Sequence, residues 1–209
     1  MKYPHNISRI EAFSDAVFAF AATLMVVSVG YEESTSVIKV DWTAFIGFGV
    51  SFFVLVALWS LHYNFFRKTD YMDHGLIALN SILLFVVLYY VFPLKSLVNS
   101  WLGAQQITWE ELARLFELYS FGFVLIFLCL SLMYLRAYLK TKQVKNNLDL
   151  LFYARHFGIF VGVSLLSVLF AKLQLGLKLG VPGFIYMLLG PLCYWHGVHF
   201  NKKYPTNEK

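Results

Sequence analysis

From Phe45 to Phe66 the chain runs without a single Asp, Glu, Lys or Arg. At ~1.5 Å per residue, a helix of that length crosses the ~30 Å hydrocarbon core of a bilayer. No other feature constrains the fold as strongly. Inside hydrocarbon every backbone N–H and C=O needs an internal partner, and an α-helix supplies them all. Five further apolar runs resemble it: Ile10 to Gly30, Leu76 to Phe92, Leu118 to Leu135, Phe157 to Leu175 and Val181 to Val198. The expected fold is all-α, a polytopic membrane protein with six transmembrane helices at about 9–30, 43–67, 74–102, 109–139, 150–175 and 181–201. They form a single six-helix domain over 1–209.

Composition agrees. Of 209 residues, 59% are hydrophobic and 14% are charged, about half the ~25% charged share of a soluble domain. That excludes a soluble enzyme, a disordered segment and a nucleic-acid-binding domain, despite a net charge of +5. Cys129 and Cys193 sit inside apolar runs, which argues against a disulfide framework or a zinc site. The first run is too long, and too acidic at its start, for a removable signal peptide. Twelve of the 17 lysines and arginines fall on the side that holds both termini and the segments around 67–68 and 136–155. The positive-inside rule therefore places both termini in the cytoplasm.

Helix ends carry their own signals. Ser8 with Glu11, and Thr108 with Glu111, have capping-box spacing. Asp73 suits the N-cap of the third helix, and Pro182 the first turn of the sixth. Pro93 either kinks or ends the third helix.

The residues that are expensive at membrane depth are few. Asp15 lies in the second turn of the first helix, where a central Asp would cost ~2.5–3.5 kcal/mol on insertion scales. Two readings stand: a carboxylate that snorkels to the headgroups, or a member of a hydrogen-bond or ion-pair network inside the bundle. Arg9 and Asp15 are six residues apart, so they face different neighbours. Glu11 is assigned to the cap. His62 on the second helix and Asn80 on the third fall at the depth of Asp15, and three polar groups at one depth on three helices suggest one network. Ala12, Ala16 and Ala19 give the small-residue spacing of close helix contact. Phe20, Leu24, Val27 and Tyr31 form an apolar stripe with Thr23 beside it. No metal-ligand spacing, nucleophile signature or Gly-rich phosphate loop is present, so no enzyme activity and no cofactor are expected.

The segment Arg9-Ile10-Glu11-Ala12-Phe13-Ser14-Asp15 resembles the R-x-x-x-F-S-D signature that opens helix one in the lysosomal/endosomal potassium channel family (transmembrane protein 175). Ala22-Thr23-Leu24-Met25, Trp59 with His62, Asn80 followed by Leu83-Leu84, and Phe92-Pro93 are similar too. The resemblance covers the first three helices; beyond them it is one of topology. It implies a potassium-permeable cation channel without a TVGYG filter, its pore lined by helix one. It also implies a homotetramer of a single-repeat member in a bacterial inner membrane, with K+ as the permeant ion. By position, Arg9, Phe13, Ser14, Asp15, His62 and Asn80 would hold helix one, and Phe20, Thr23, Leu24 and Val27 would form the constriction. Phe20 departs from the Leu or Ile usual there. Ser28-Val29-Gly30-Tyr31 is no filter, since it ends a full-length span and Glu32 follows it. The expected partners are the chain itself, lipid and monovalent cations, not nucleic acid. The alternative function is a small secondary transporter or a proton pathway that titrates Asp15 and His62.

Overall fold

The computed structural model describes residues 7–27, 42–101, 108–143 and 147–204. Helices stand at the six expected places. They are α1 (Ile7–Val27), α2 (Trp42–Lys68), α3 (His74–Trp101), α4 (Trp109–Thr141), α5 (Leu148–Lys172), and a C-terminal stretch built from α6 (Val181–Phe184), a 3-10 turn (Ile185–Leu188) and α7 (Leu189–Lys203). Among the described residues four helices are long and apolar enough to cross a membrane: Phe45–Lys68, His74–Ser100, Trp109–Thr141 and Leu148–Lys172. The first helix carries Arg9, Glu11 and Asp15 in its first three turns. The last stretch is interrupted.

That interruption corrects the expected continuous helix over 181–201. Pro191 has no N–H for the carbonyl of Met187, and its ring crowds that carbonyl. The turn before it tightens to 3-10 geometry over Ile185–Leu188. The fifth helix also stops at Lys172, before the expected 175. Gln174 takes a left-handed φ of 54°. The Leu175 N–H then reaches the Phe170 carbonyl at 2.9 Å, and the Gln174 N–H reaches that of Ala171 at 3.0 Å. This is a Schellman stop, built on glutamine where glycine is usual. Ser8 is not the N-cap of α1, since both it and Ile7 before it are already helical. Pro93 does not end α3, which runs on to Trp101.

Other end signals form as their residue types dictate. Thr108 and Glu111 exchange both capping-box bonds, at 3.3 and 2.8 Å. Asp73 accepts from the Leu76 N–H at 2.9 Å, and Pro182 sits in the first turn of α6.

Helices α4 and α5 form the packed spine. Phe127 stacks on Phe160 with centroids 4.5 Å apart, and Tyr134 stacks on Tyr153 at 5.3 Å. Hydroxyls join the two helices inside this apolar surface: Ser120 pairs with Ser167 at 2.7 Å, and Ser131 donates to the Ala154 carbonyl at 2.7 Å. Phe65 of α2 meets the Tyr134 ring edge-on at 5.0 Å. Gly122 lets α3 close on α4, since a Cβ there would stand 2.6 Å from the Tyr90 ring.

The turn between α2 and α3 is fixed by charge. The Arg136 guanidinium of α4 donates to both oxygens of Asp73, with Nη2 to Oδ2 at 2.7 Å and Nε to Oδ1 at 3.0 Å. Hydrogen bonding from Arg136 is the main reason the Asp73 carboxyl lies well below the usual carboxylate range; burial opposes it, and the Leu76 N–H and Tyr71 hydroxyl add to it. The guanidinium lies over Gly75, where a β-carbon would displace it. Because the folded pKa is depressed, this stabilisation is complete above the unfolded value of ~3.9 and fades as pH falls towards the folded one. Asp73→Asn keeps a capping side chain but loses the charge. Its melting temperature should fall below that of the wild type at pH 7, with the gap closing below about pH 4. Gly75→Ala should behave the same way. A gap unchanged between pH 7 and pH 3 in a thermal unfolding series would remove the pair from the account.

Candidate functional site

The buried face of α1 follows from its spacing. Ser14, Phe18, Ala21 and Met25 are i, i+4, i+7 and i+11, one stripe of a helix, and each is 5% exposed or less. They pack on α2 and α3. The opposite stripe holds Ala12, Phe13, Ala16, Ala19, Phe20 and Thr23, all exposed in the single chain.

One polar chain runs through the buried side. The Ser14 hydroxyl donates to the Ile10 carbonyl at 2.8 Å. Its oxygen is then free to accept, and Asn80 Nδ2 donates to it at 3.0 Å. That turns Asn80 Oδ1 towards His62, whose Nε2 lies 2.7 Å away. Each step fixes the next, so His62 Nε2 carries the proton and donates. Ser14, Asn80 and His62 are 0%, 2% and 1% exposed. The chain joins α1, α3 and α2 through these bonds. Phe18 and Phe66 close over the His62 ring at 5.4 and 5.0 Å.

Asp15 is hydrogen-bonded outside this chain. Trp59 Nε1 donates to Asp15 Oδ1 at 2.7 Å, a second side-chain link from α1, this one directly to α2. Trp59 was not among the expected site residues. The available signal was its i, i+3 spacing with His62, which puts an indole donor on the same side of α2. Phe13 is 63% exposed rather than part of the buried network, because the residue before Ser14 points ~100° away around the helix. Arg9 is on that exposed side too.

The four expected constriction residues divide. Phe20 is 56% exposed. Thr23 is exposed, and its hydroxyl donates to the Ala19 carbonyl at 3.0 Å. Leu24 is half-buried at the edge of the exposed stripe, so Thr23 lies nearer the centre of that face than Leu24. The side chain of Val27 and the segment 28–41 lie outside the described residues. No group of three or more His, Cys, Asp or Glu that could hold a metal converges among the described residues.

A family model of the endosomal/lysosomal potassium channel TMEM175 matches residues 9–93. A crystal structure of the potassium channel MtTMEM175, a variant in complex with a nanobody–MBP fusion protein, superposes with a TM-score of 0.75. It is 31% identical, with 93% of each chain covered. This chain belongs to the TMEM175 family. The matched stretch begins at Arg9 and ends at Pro93, so it contains the whole Ser14–Asn80–His62 chain and the Asp15–Trp59 bond. A potassium channel of Marivirga tractuosa is 39% identical over 158 residues, 68% of this chain and 62% of that protein. A potassium channel of Chamaesiphon minutus is 32% identical over 99 residues, 44% of this chain and 49% of that protein. The chain thus spans less than two thirds of the length of these curated relatives. The crystal structure of a lysosomal potassium-selective channel TMEM175 homolog from Chamaesiphon minutus shares the fold, with a TM-score of 0.61, 20% identity and coverage of 93% of this chain and 98% of that one. The TMEM175 family is one of ion channels, not enzymes.

Interhelical hydrogen bonds in membrane proteins average ~0.6 kcal/mol and reach ~1.7. Asn80 makes two in series, so Asn80→Ala should destabilise by about 1–2 kcal/mol, which detergent unfolding can measure. Asp15→Ala and Trp59→Phe remove the two ends of one bond. Together they should cost no more than the larger single loss. Additive losses in that cycle would mean that Asp15 has a different partner.

Proposed function

We propose that this chain is a potassium-permeable cation channel without a TVGYG filter, assembling as a homotetramer with α1 lining a central pore. It sits in a bacterial inner membrane with both termini cytoplasmic. The observation that carries the proposal is the two-sidedness of α1. One face is fastened through Ser14 and the apolar stripe of Phe18, Ala21 and Met25, while the opposite face is left open by its own chain. Four copies would bring the open faces together. Family membership and the potassium channels among its relatives support the same reading.

In that assembly Phe20, Thr23, Leu24 and Val27 line the axis. The Phe20, Leu24 and Val27 rings are apolar and exclude water, so an ion crossing them loses hydration with nothing polar in return, while Thr23 places a hydroxyl beside them. Phe20 is the largest of the four, so its ring is the main barrier. Small Ala12, Ala16 and Ala19 allow the helices to approach closely. Arg9 and Asp15 anchor helix one on different sides and serve assembly rather than permeation. A proton pathway through Asp15 and His62 has less support: Asp15 accepts from Trp59, while His62 pairs with Asn80, so the two belong to separate bonds.

Native mass spectrometry of the purified protein should give four chains per particle; a monomer or an ordinary dimer as the sole species overturns the assembly. In liposomes at matched protein density, potassium flux should exceed sodium and proton flux. Phe20→Ala should raise conductance and lower potassium-over-sodium discrimination. Leu24→Ala should do so more weakly, and Phe53→Ala, on an exposed face of α2, not at all. If Phe20→Ala changes neither while the tetramer persists, the pore lies elsewhere.

A further inference from the structure

Away from α1, the fifth helix and the last helix bring two imidazoles together. The ring centroids of His156 on α5 and His196 on α7 are 5.7 Å apart. Nδ1 of His156 and both ring nitrogens of His196 are buried and have no hydrogen-bond partner among the described residues. Buried polar atoms are overwhelmingly paired, and an orphan signals a missing water, a missing ion or a functional role. Three orphans on two facing rings are not an accident of one side chain's rotamer. The surrounding residues offer them nothing. Phe152 stacks on His156 at 5.4 Å and meets the His196 ring at a tilt at 5.0 Å. Phe160 lies 5.7 Å from His156, and Phe200 lies 5.8 Å from His196.

We propose that His156 and His196 form a two-imidazole binding site for a first-row transition-metal dication such as Zn2+ or Cu2+, bridging α5 and α7. Neutral imidazole is the commonest metal ligand, and it suits these ions. With metal–nitrogen distances of ~2.0–2.1 Å, two imidazoles on one ion hold their centroids roughly 5–6 Å apart. The observed spacing falls in that range. No third His, Cys, Asp or Glu converges with the pair among the described residues. Water therefore completes the coordination, and the site is exchangeable rather than a closed structural cage. Arg155 acts on His196 electrostatically. Its positive charge opposes a dication and sets the affinity below that of a site with carboxylate or thiolate ligands.

The bridge would add a direct tie between the final helix and the α4–α5 spine. It is separate from the polar chain that holds α1, so it is tested without any flux measurement. The full-length protein in detergent is titrated with Zn2+ or Cu2+ against a competing chelator. The expected result is one ion per chain, a rise in melting temperature on binding, and at least a tenfold loss of affinity in His156→Phe and in His196→Phe. Phenylalanine keeps the stacking on Phe152, so these variants should fold. His199→Ala should retain full binding. A second measurement needs no variant: the electron paramagnetic resonance spectrum of bound Cu2+ should show coupling to two imidazole nitrogens. No saturable binding, binding that survives the double replacement, dependence on His199, or a Cu2+ spectrum without two imidazole nitrogens would each overturn the assignment.

Discussion

The carboxamide of Asn80 has a donor end and an acceptor end, and a different helix takes each. In hydrocarbon a leucine gains little by leaving lipid for another leucine, so apolar area alone does not tell a helix which way to turn. A satisfied polar contact does. Once the Ser14 oxygen accepts from Asn80, the rotation of α1 is fixed. Phe18, Ala21 and Met25 follow Ser14 into the bundle, and Phe13, Ala16, Phe20 and Thr23 are carried to the other side. Sliding α1 by one residue would bury a phenylalanine against the carboxamide and leave a donor unpaired, at a cost of about 1–3 kcal/mol.

That contact can orient α1 only because α2 and α3 are themselves held. The Phe65 ring of α2 meets Tyr134, and the Arg136 fork grips Asp73 at the start of α3. Both attachments lead to α4. The pair α4 and α5 is joined by stacked aromatic rings and by serine hydroxyls that find partners across the gap. The molecule thus has a rigid rear and a front helix fastened along one face.

The ends of the helices show how far local chemistry reaches. Thr108 with Glu111, Asp73 and Pro182 act at the positions where their side chains alone place them, because a cap is a contact between near neighbours in the chain. The stop after Lys172 was hidden. A Schellman turn is expected at glycine, yet Gln174 adopts the left-handed conformation and Gly176 follows two residues later. The break at Ile185–Leu188 was also concealed, since its cause, Pro191, lies downstream of its effect. For the candidate site, Asp15, His62 and Asn80 are visible as costly residues at a common depth, and Ser14 enters only with the family signature. Their pairing is not visible. One network was expected where two separate links exist, because spacing along a helix gives a face but not the partner across the gap.

By itself the sequence determined that this protein is a helical membrane protein, where its helices run, and which few polar groups must find partners. Those follow from hydropathy, periodicity and the cost of bare polar groups in hydrocarbon, all of which act over a few residues or a single span. Only the tertiary structure decided that Asp15 goes to Trp59 and Asn80 to both Ser14 and His62, that Arg136 reaches back 63 positions to Asp73, and that His156 faces His196. Each of these joins residues on different helices. Their meeting depends on how the helices rotate and cross, and the packing of the whole bundle sets that geometry rather than any segment within it.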